Sequence, residues 1–340
     1  MTPLFLGLAG TALGDAERAF FRSVSPAGYI LFRRNIADPA QVRALTDDLR
    51  SLAGRDDLPI LIDQEGGRVA RLGPPHWPEF PAGRRFDALY DVAPISAIEA
   101  IRHNARALAA MLHDLGITVD CLPVLDVPVP GAHDIIGDRA LGHDPMRVAA
   151  LGKAVVEGLA DGGVVAVVKH IPGHGRSMAD SHVELPRVDA GLADLEVDFE
   201  PFRALANAPM GMTAHVVYSA IDAERCASVS PVVIGDVIRG QIGFDGLLMS
   251  DDLGMHALKG DFGDRARAVL DAGCDIALHC SGDMAEMEAI AAAVGSIGTD
   301  ALERLGRAMA WMGRRRDIGM AESIARRDQL LALDPQHRAA

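Results

Sequence analysis

The sequence predicts an α/β fold closed into a TIM-type (β/α)8 barrel, on three observations. Eight short apolar runs punctuate the 340 residues. Most are followed by a helix-like amphipathic stretch, and no Gly/Ser-rich, Pro-rich or low-complexity linker divides the chain. Strand alternating with helix requires parallel strands with right-handed crossovers, and eight units in one chain favour closure over an open doubly wound sheet. One catalytic domain over residues 1–335 follows, with 336–340 as a frayed tail.

The first run, LFLGL at 4–8, lies in an N-terminus with no basic residues that is broken by glycines and followed by Asp15 and Glu17. It reads as a first strand and not as a leader. The runs at 29–32 and 60–62 supply the second and third strands. Between them Asp38 and Pro39 precede AQVRALTDDLRSL, an aspartate suited to cap a helix and a proline suited to its first turn. The fourth run is 119–125. The fifth, VVAVV at 164–168, is β-branched and does not alternate, the character of a strand buried on both faces. Runs at 211–216, 247–249 and 275–278 complete the set. Residues 300–335, rich in Ala, Leu, Glu and Arg around Trp311, predict closing helices packed outside the barrel.

A net charge of −14 argues against nonspecific nucleic-acid binding and against attraction to an anionic membrane surface. No segment reaches the roughly 20 apolar residues that span a bilayer. Cys121, Cys226, Cys274 and Cys280 are few and widely spaced, as expected of reduced structural thiols in a cytoplasmic protein. A small, uncharged substrate fits this composition, and a monomer is expected.

In a parallel barrel, chemistry gathers where strands end at the carboxyl side. Those positions hold carboxylates, arginines and histidines. The third strand leads into Asp63-Gln64-Glu65-Gly66-Gly67-Arg68 with Arg71 beyond; the fourth leads to Asp126 and then to Asp138-Arg139 in a Gly/Pro-rich connection. The fifth supplies Lys169, His170, His174, Asp180 and His182, the sixth His215, and the seventh Ser250-Asp251-Asp252. A polyhydroxylated sugar needs many fixed donors and acceptors, which this set offers. No phosphate loop is present, and Gly66-Gly67 lacks dinucleotide-binding spacing.

Five segments at strand ends, in order, carry a resemblance: LIDQEGGRVARL (61–72), GDRALG (137–142), VVKHIPGHG with DSHVELP (167–175 and 180–186), MTAHVVY (212–218) and LLMSDDLGM (247–255). The chain resembles glycoside hydrolase family 3, in its single-domain bacterial β-N-acetylhexosaminidase branch, over nearly its whole length. Ile171 stands where an aromatic is common, and Ala140-Leu141 where Ser-Phe is common.

The resemblance implies a retaining exo-β-N-acetylglucosaminidase that needs neither metal nor cofactor. Its aspartate after the seventh strand, here Asp251, would form a covalent glycosyl-enzyme; Asp252, one residue on, reads as a structural carboxylate but is close enough in sequence to be an alternative. The acid/base would be His182 oriented by Asp180, an Asp-x-His pair that elsewhere merely ties down loops. Asp63, Arg71, Arg139, Lys169 and His170 would bind the hydroxyls and acetamido group of the terminal sugar. Lys169 has a second reading as a Schiff-base lysine. His174 reads as loop-shaping and His215 as a possible pocket wall. Relatives of this type remove N-acetylglucosamine from 1,6-anhydromuropeptides in cell-wall recycling. The glycines of the 171–182 loop suggest that it closes over bound sugar. Two rivals stand beside this reading: a glycoside phosphorylase, with phosphate attacking the intermediate, and a metal-dependent barrel hydrolase using His170, His174, His182 or His215 with Asp251.

Overall fold

The computed structural model describes residues 1–178, 185–317 and 319–335. Asp180, His182 and the tail at 336–340 therefore lie outside the described residues, as does part of the loop expected to close over sugar. The chain begins with β1 (Thr2–Gly7), α1 (Asp15–Val24), β2 (Pro26–Leu31), α2 (Pro39–Ala53) and β3 (Ile60–Ile62). After α3 (Gly83–Val92) and α4 (Pro94–Asp114) come β4 (Val119–Asp120), α5 (Pro145–Asp161) and β5 (Val165–Ile171). A short β6 (Arg187–Val188), α6 (Leu192–Ala204), β7 (Met210–Thr213) and a short β8 (Val217–Tyr218) precede β9 (Leu247–Asp252). The chain closes with α7 (Phe262–Asp271), β10 (Ile276–His279), α8 (Met284–Ala293), α9 (Thr299–Met309) and α10 (Met320–Leu331).

Among the described residues, eight parallel strands close a barrel in the order β1, β2, β3, β4, β5, β7, β9, β10 and back to β1, while β6 and β8 pair with each other outside it. Each predicted run became one barrel strand. The fourth is cut to two residues: beyond it the chain enters the cis peptide Leu122-Pro123, and proline has no amide to continue a ladder. The fifth runs on through Lys169 and His170. Helix starts follow the local chemistry, as where Asp38 Oδ1 accepts the amides of Ala40 and Gln41, both at 2.9 Å. The crossover helix Val233–Gln241 is wound as a π-helix.

Side-chain alternation separates two layers. Phe5, Ile30, Leu61, Val119, Val165, Val167, Met210, Leu247 and Met249 fill the barrel interior. Their neighbours Leu4, Leu6, Ile60, Ile62, Ala166, Val168 and Leu248 pack against the helices. A period of two from the interior positions leads, at the carboxyl ends, to Phe32, Asp63, Lys169, Asp251 and Cys280. The apolar interior is thus roofed by charge.

The loop after β5 is seated on the one after β4. Tyr218 Oη donates to the Gly173 carbonyl at 2.6 Å, Arg176 Nε donates to Asp198 Oδ2 at 2.5 Å, and the amide of Val129 donates to the Gly175 carbonyl at 3.2 Å. At Gly175 the contact leaves no room for a side chain: a Cβ would lie 2.1 Å from the Val127 carbonyl oxygen. Because the obstruction is backbone, it cannot rotate away. Gly175→Ala is therefore expected to lower stability by about 1–3 kcal/mol, read as a fall in Tm; an unchanged Tm would mean the two loops are not in contact in solution.

Candidate active site

The carboxyl-end mouth of the barrel holds a cavity of about 550 Å3 whose lining includes Asp63, Arg71, Arg139, Lys169, His170 and Asp251. These six come from β3 and its following turn, the β4–α5 connection, and the ends of β5 and β9. These are all the described residues to which the sequence assigned attack or sugar binding; His215, expected as a pocket wall, and His174 are not in the lining.

Its floor is a chain of paired charges. Lys169, 2% exposed, places Nζ 2.9 Å from Asp63 Oδ1 and 2.7 Å from Glu65 Oε1. Asp63 Oδ2 accepts from Arg71 Nη2 at 3.0 Å, and Glu65 takes both Nε and Nη2 of Arg139 at 2.8 Å. Burial alone would raise both carboxyls, but Lys169 and the two guanidiniums outweigh it: Asp63 is held well below the carboxylate range and Glu65 at about 2. Burial likewise works against the Lys169 ammonium, and the two carboxylates more than offset it, leaving its pKa raised. A lysine held charged in this way is a poor amine nucleophile, which counts against a Schiff-base role.

Two features shape the turn that carries these groups. Gly66 and Gly67 both take positive φ, +96° and +56°, which a side chain would disfavour. A Cβ at Gly66 would also meet the Pro81 carbonyl oxygen at 2.5 Å. Fully buried Gln64 braces the return, its Oε1 accepting the amides of Arg71 and Leu72 at 2.8 and 2.9 Å while its own amide donates to Asp120 Oδ1. From the same turn, Arg68 clasps the far loop. Its Nη2 donates to the carbonyls of Asp134, Ile135 and Ile136, and its Nε lies 2.8 Å from Asp138 Oδ1. That clasp holds Ile135 and Arg139 at the cavity wall.

Asp251 and Asp252 both line the cavity and differ in what their carboxylates meet. Asp251 Oδ1 accepts the Asp252 amide at 2.8 Å. Burial would raise its carboxyl, but His215, His170, that amide and Lys169 hold it below the ordinary value, so it is ionised at neutral pH. The Asp252 carboxylate is taken up by backbone: Oδ1 accepts the amides of Gly254 and Cys280, both at 3.0 Å. Behind them His215 lies buried, Nε2 3.0 Å from the Asp252 carbonyl oxygen and Nδ1 2.7 Å from Ser228 Oγ. A carbonyl only accepts, so Nε2 carries a proton, while Ser228 Oγ, the partner of Nδ1, is also within reach of the Ala214 carbonyl at 3.1 Å. Burial lowers the His215 pKa, which favours a neutral ring, while Lys169 faces Asp251 as a fixed charge.

His170 lines the cavity beside Lys169, the peptide between them cis, and its Nδ1 lies 2.7 Å from Oδ2 of fully buried Asp126. His174 is buried next to it, its ring 5.7 Å away, and burial together with His170 drives its pKa down to about 4. Both nitrogens of His215 and one of His170 are thus engaged by the protein. Among the described residues no group of three or more His, Cys, Asp or Glu is arranged to hold a metal ion, and none of the four cysteines forms a disulfide.

Sequence reasoning placed Gln64, Glu65, Arg68 and Asp126 at strand ends but gave none of them a role of its own. Glu65 was open to discovery: it lies two residues beyond Asp63, hence on the same side of the chain.

Comparison with known proteins agrees with the geometry. The family profile described as "Glycosyl hydrolase family 3 N terminal domain" matches residues 9–307. A protein named Beta-hexosaminidase from Alkalilimnicola ehrlichii is 44% identical over 285 residues, covering 82% of this chain and 80% of its own. Another of that name from Thiobacillus denitrificans is 42% identical over 284 residues, 82% of this chain and 78% of its own. The crystal structure of NagZ from Neisseria gonorrhoeae in complex with N-trifluoroacetyl-D-glucosamine superposes with a TM-score of 0.85 at 31% identity, covering 98% of each chain.

The charged floor makes stability acid-sensitive. Glu65 titrates near 4.5 when unfolded and near 2 here, so between those values the unfolded chain binds more protons. Its contribution is complete above pH 4.5 and is lost as pH falls toward 2. Glu65→Gln should lower stability at pH 7 by about 3 kcal/mol, since Lys169 and Arg139 lose a buried counter-charge, and should flatten the Tm profile between pH 4.5 and 2. Parallel wild-type and variant profiles across that window would contradict this account.

Proposed function

The chain belongs to glycosyl hydrolase family 3 and is a glycoside hydrolase, and from that premise we propose that it is a retaining exo-β-N-acetylglucosaminidase. The observation that carries this reading is Asp251, an ionised, inward-facing carboxylate beside a floor of fixed donors and acceptors in one cavity. A glycone enclosed by Asp63, Arg71, Arg139, Lys169 and His170 would present its anomeric carbon to that carboxylate. Attack by Asp251 forms a glycosyl-enzyme with inverted configuration; attack by water restores the original configuration. His182, oriented by Asp180, would protonate the leaving oxygen in the first step and take a proton from water in the second. That dyad is carried over from the family motif, since both residues lie outside those described. Asp252, bound to two backbone amides, serves as a fixed support for the strand end.

The names of the relatives favour an N-acetylhexosamine as glycone, and the solved complex with an N-acylated glucosamine favours the gluco configuration. We take the natural substrates to be peptidoglycan fragments, the 1,6-anhydromuropeptides of cell-wall recycling, met by a monomeric enzyme in the cytoplasm. Residues 1–335 act in this reading as one catalytic domain. Its last helix is fastened to the barrel where Arg327 Nη1 donates to Asn104 Oδ1 at 3.1 Å.

Nitrophenol release from 4-nitrophenyl N-acetyl-β-D-glucosaminide tests the proposal. Wild-type activity should persist in a chelator, fall by roughly 10^4-fold in Asp251→Asn, and fall about 10^2–10^4-fold in His182→Ala. A variant at Asp251 that keeps its rate, or a wild type that is inactive until metal is added, would overturn the mechanism.

A further inference from the structure

Asp126 lies at the carboxyl end of the fourth predicted run, fully buried, and does not line the cavity. Its two oxygens are nevertheless used asymmetrically. Oδ1 accepts two backbone amides, from His170 at 3.2 Å and His174 at 2.6 Å, while among the described residues Oδ2 faces only the His170 ring, 2.7 Å from Nδ1. A buried carboxylate oxygen at that distance calls for a donor, so Nδ1 carries the proton. In the neutral ring the lone pair must then sit on Nε2. His170 is only 8% exposed, and Nε2 has no protein partner among the described residues; the opening available to it is the cavity that the ring lines.

We propose that Asp126 is a positioning residue that locks His170 in the Nδ1–H tautomer, so that Nε2 meets the substrate as a hydrogen-bond acceptor and selects glycones carrying a hydroxyl donor there. This rests on reading the cavity as the sugar site, and it assigns a polarity to one contact within it. The rest of the floor is rich in cationic donors: Lys169, Arg71 and Arg139 can only donate. Asp63 and Glu65 spend their oxygens on those cations. An acceptor at His170 therefore offers a donating hydroxyl a neutral partner beside carboxylates that already accept from those cations.

Asparagine at 126 inverts the arrangement with little change of shape. The two backbone amides require the carboxamide oxygen where Oδ1 now sits, which turns the NH2 group toward Nδ1. Facing a donor, Nδ1 must accept, and the proton moves to Nε2. His170 would then offer a donor to a hydroxyl that had been donating to it.

The experiment uses the full-length protein labelled with 15N-histidine, as wild type and Asp126→Asn, with His170→Gln to identify the ring. Long-range 15N–1H correlations at the pH of activity should show His170 with a protonated Nδ1 and an unprotonated Nε2 in the wild type, and the reverse in Asp126→Asn. A wild-type ring protonated on both nitrogens, or on Nε2 alone, overturns the proposal. In parallel, kcat/KM is measured on 4-nitrophenyl N-acetyl-β-D-glucosaminide and its 3-, 4- and 6-deoxy analogues. Wild type should reject one analogue by about tenfold or more, the scale of one hydrogen bond. Asp126→Asn should raise KM on the parent glycoside and erase most of that one discrimination. Equal losses on all four glycosides would mean that Asp126 only ties down the loop, and would also overturn it. Should the folded wild type be inert on every glycoside, the sugar-site reading fails, while the tautomer measurement still decides the state of His170.

Discussion

A buried lysine constrains everything around it. Lys169 occupies the last inward-facing position of β5, where the apolar barrel interior ends, and burying an ammonium costs several kcal/mol unless counter-charges come with it. Asp63 and Glu65 supply them, and each then requires a guanidinium of its own, Arg71 on one side and Arg139 on the other. The chain of pairs fixes the turn after β3 to β5 and draws in the loop after β4. The cavity's shape therefore follows from satisfying one charge, and the groups that would read a sugar are the same ones that close the barrel top.

Against that floor the two carboxylates of β9 acquire different characters from one geometric fact. Leu247 and Met249 point into the barrel, and Asp251 follows them, whereas Asp252, which also lines the cavity, gives Oδ1 to the amides of Gly254 and Cys280. The strand aims the proposed nucleophile and backbone amides take up an oxygen of its neighbour. His215 supports this from behind, donating to the Asp252 carbonyl one residue beyond Asp251.

Much of this was legible in the residues. Eight apolar runs became eight strands because a fully buried parallel strand must be apolar on both faces. Asp38 capped its helix as its side chain allows, whereas the choice of Asp251 over Asp252 came from the family resemblance. What escaped was contact between distant segments. That Glu65 serves Arg139, that Arg68 clasps carbonyls at 134–136, and that Asp126 faces His170 are facts about loops 44 to 74 residues apart. No local pattern encodes them. The short β6 and β8 were invisible because two residues carry no periodicity, and Pro123 ended the fourth strand before its apolar run did.

The paired floor also decides what kind of field an arriving molecule feels. The cavity lining carries five cationic side chains, Arg34, Arg68, Arg71, Arg139 and Lys169, against four carboxylates, Asp63, Glu65, Asp251 and Asp252. On a chain of formal charge −14, this mouth is close to balanced in charge. Dense in fixed charges of both signs, it adds little net attraction of its own for an ion at a distance, so recognition there rests on short-range contacts, which the surrounding salt screens least.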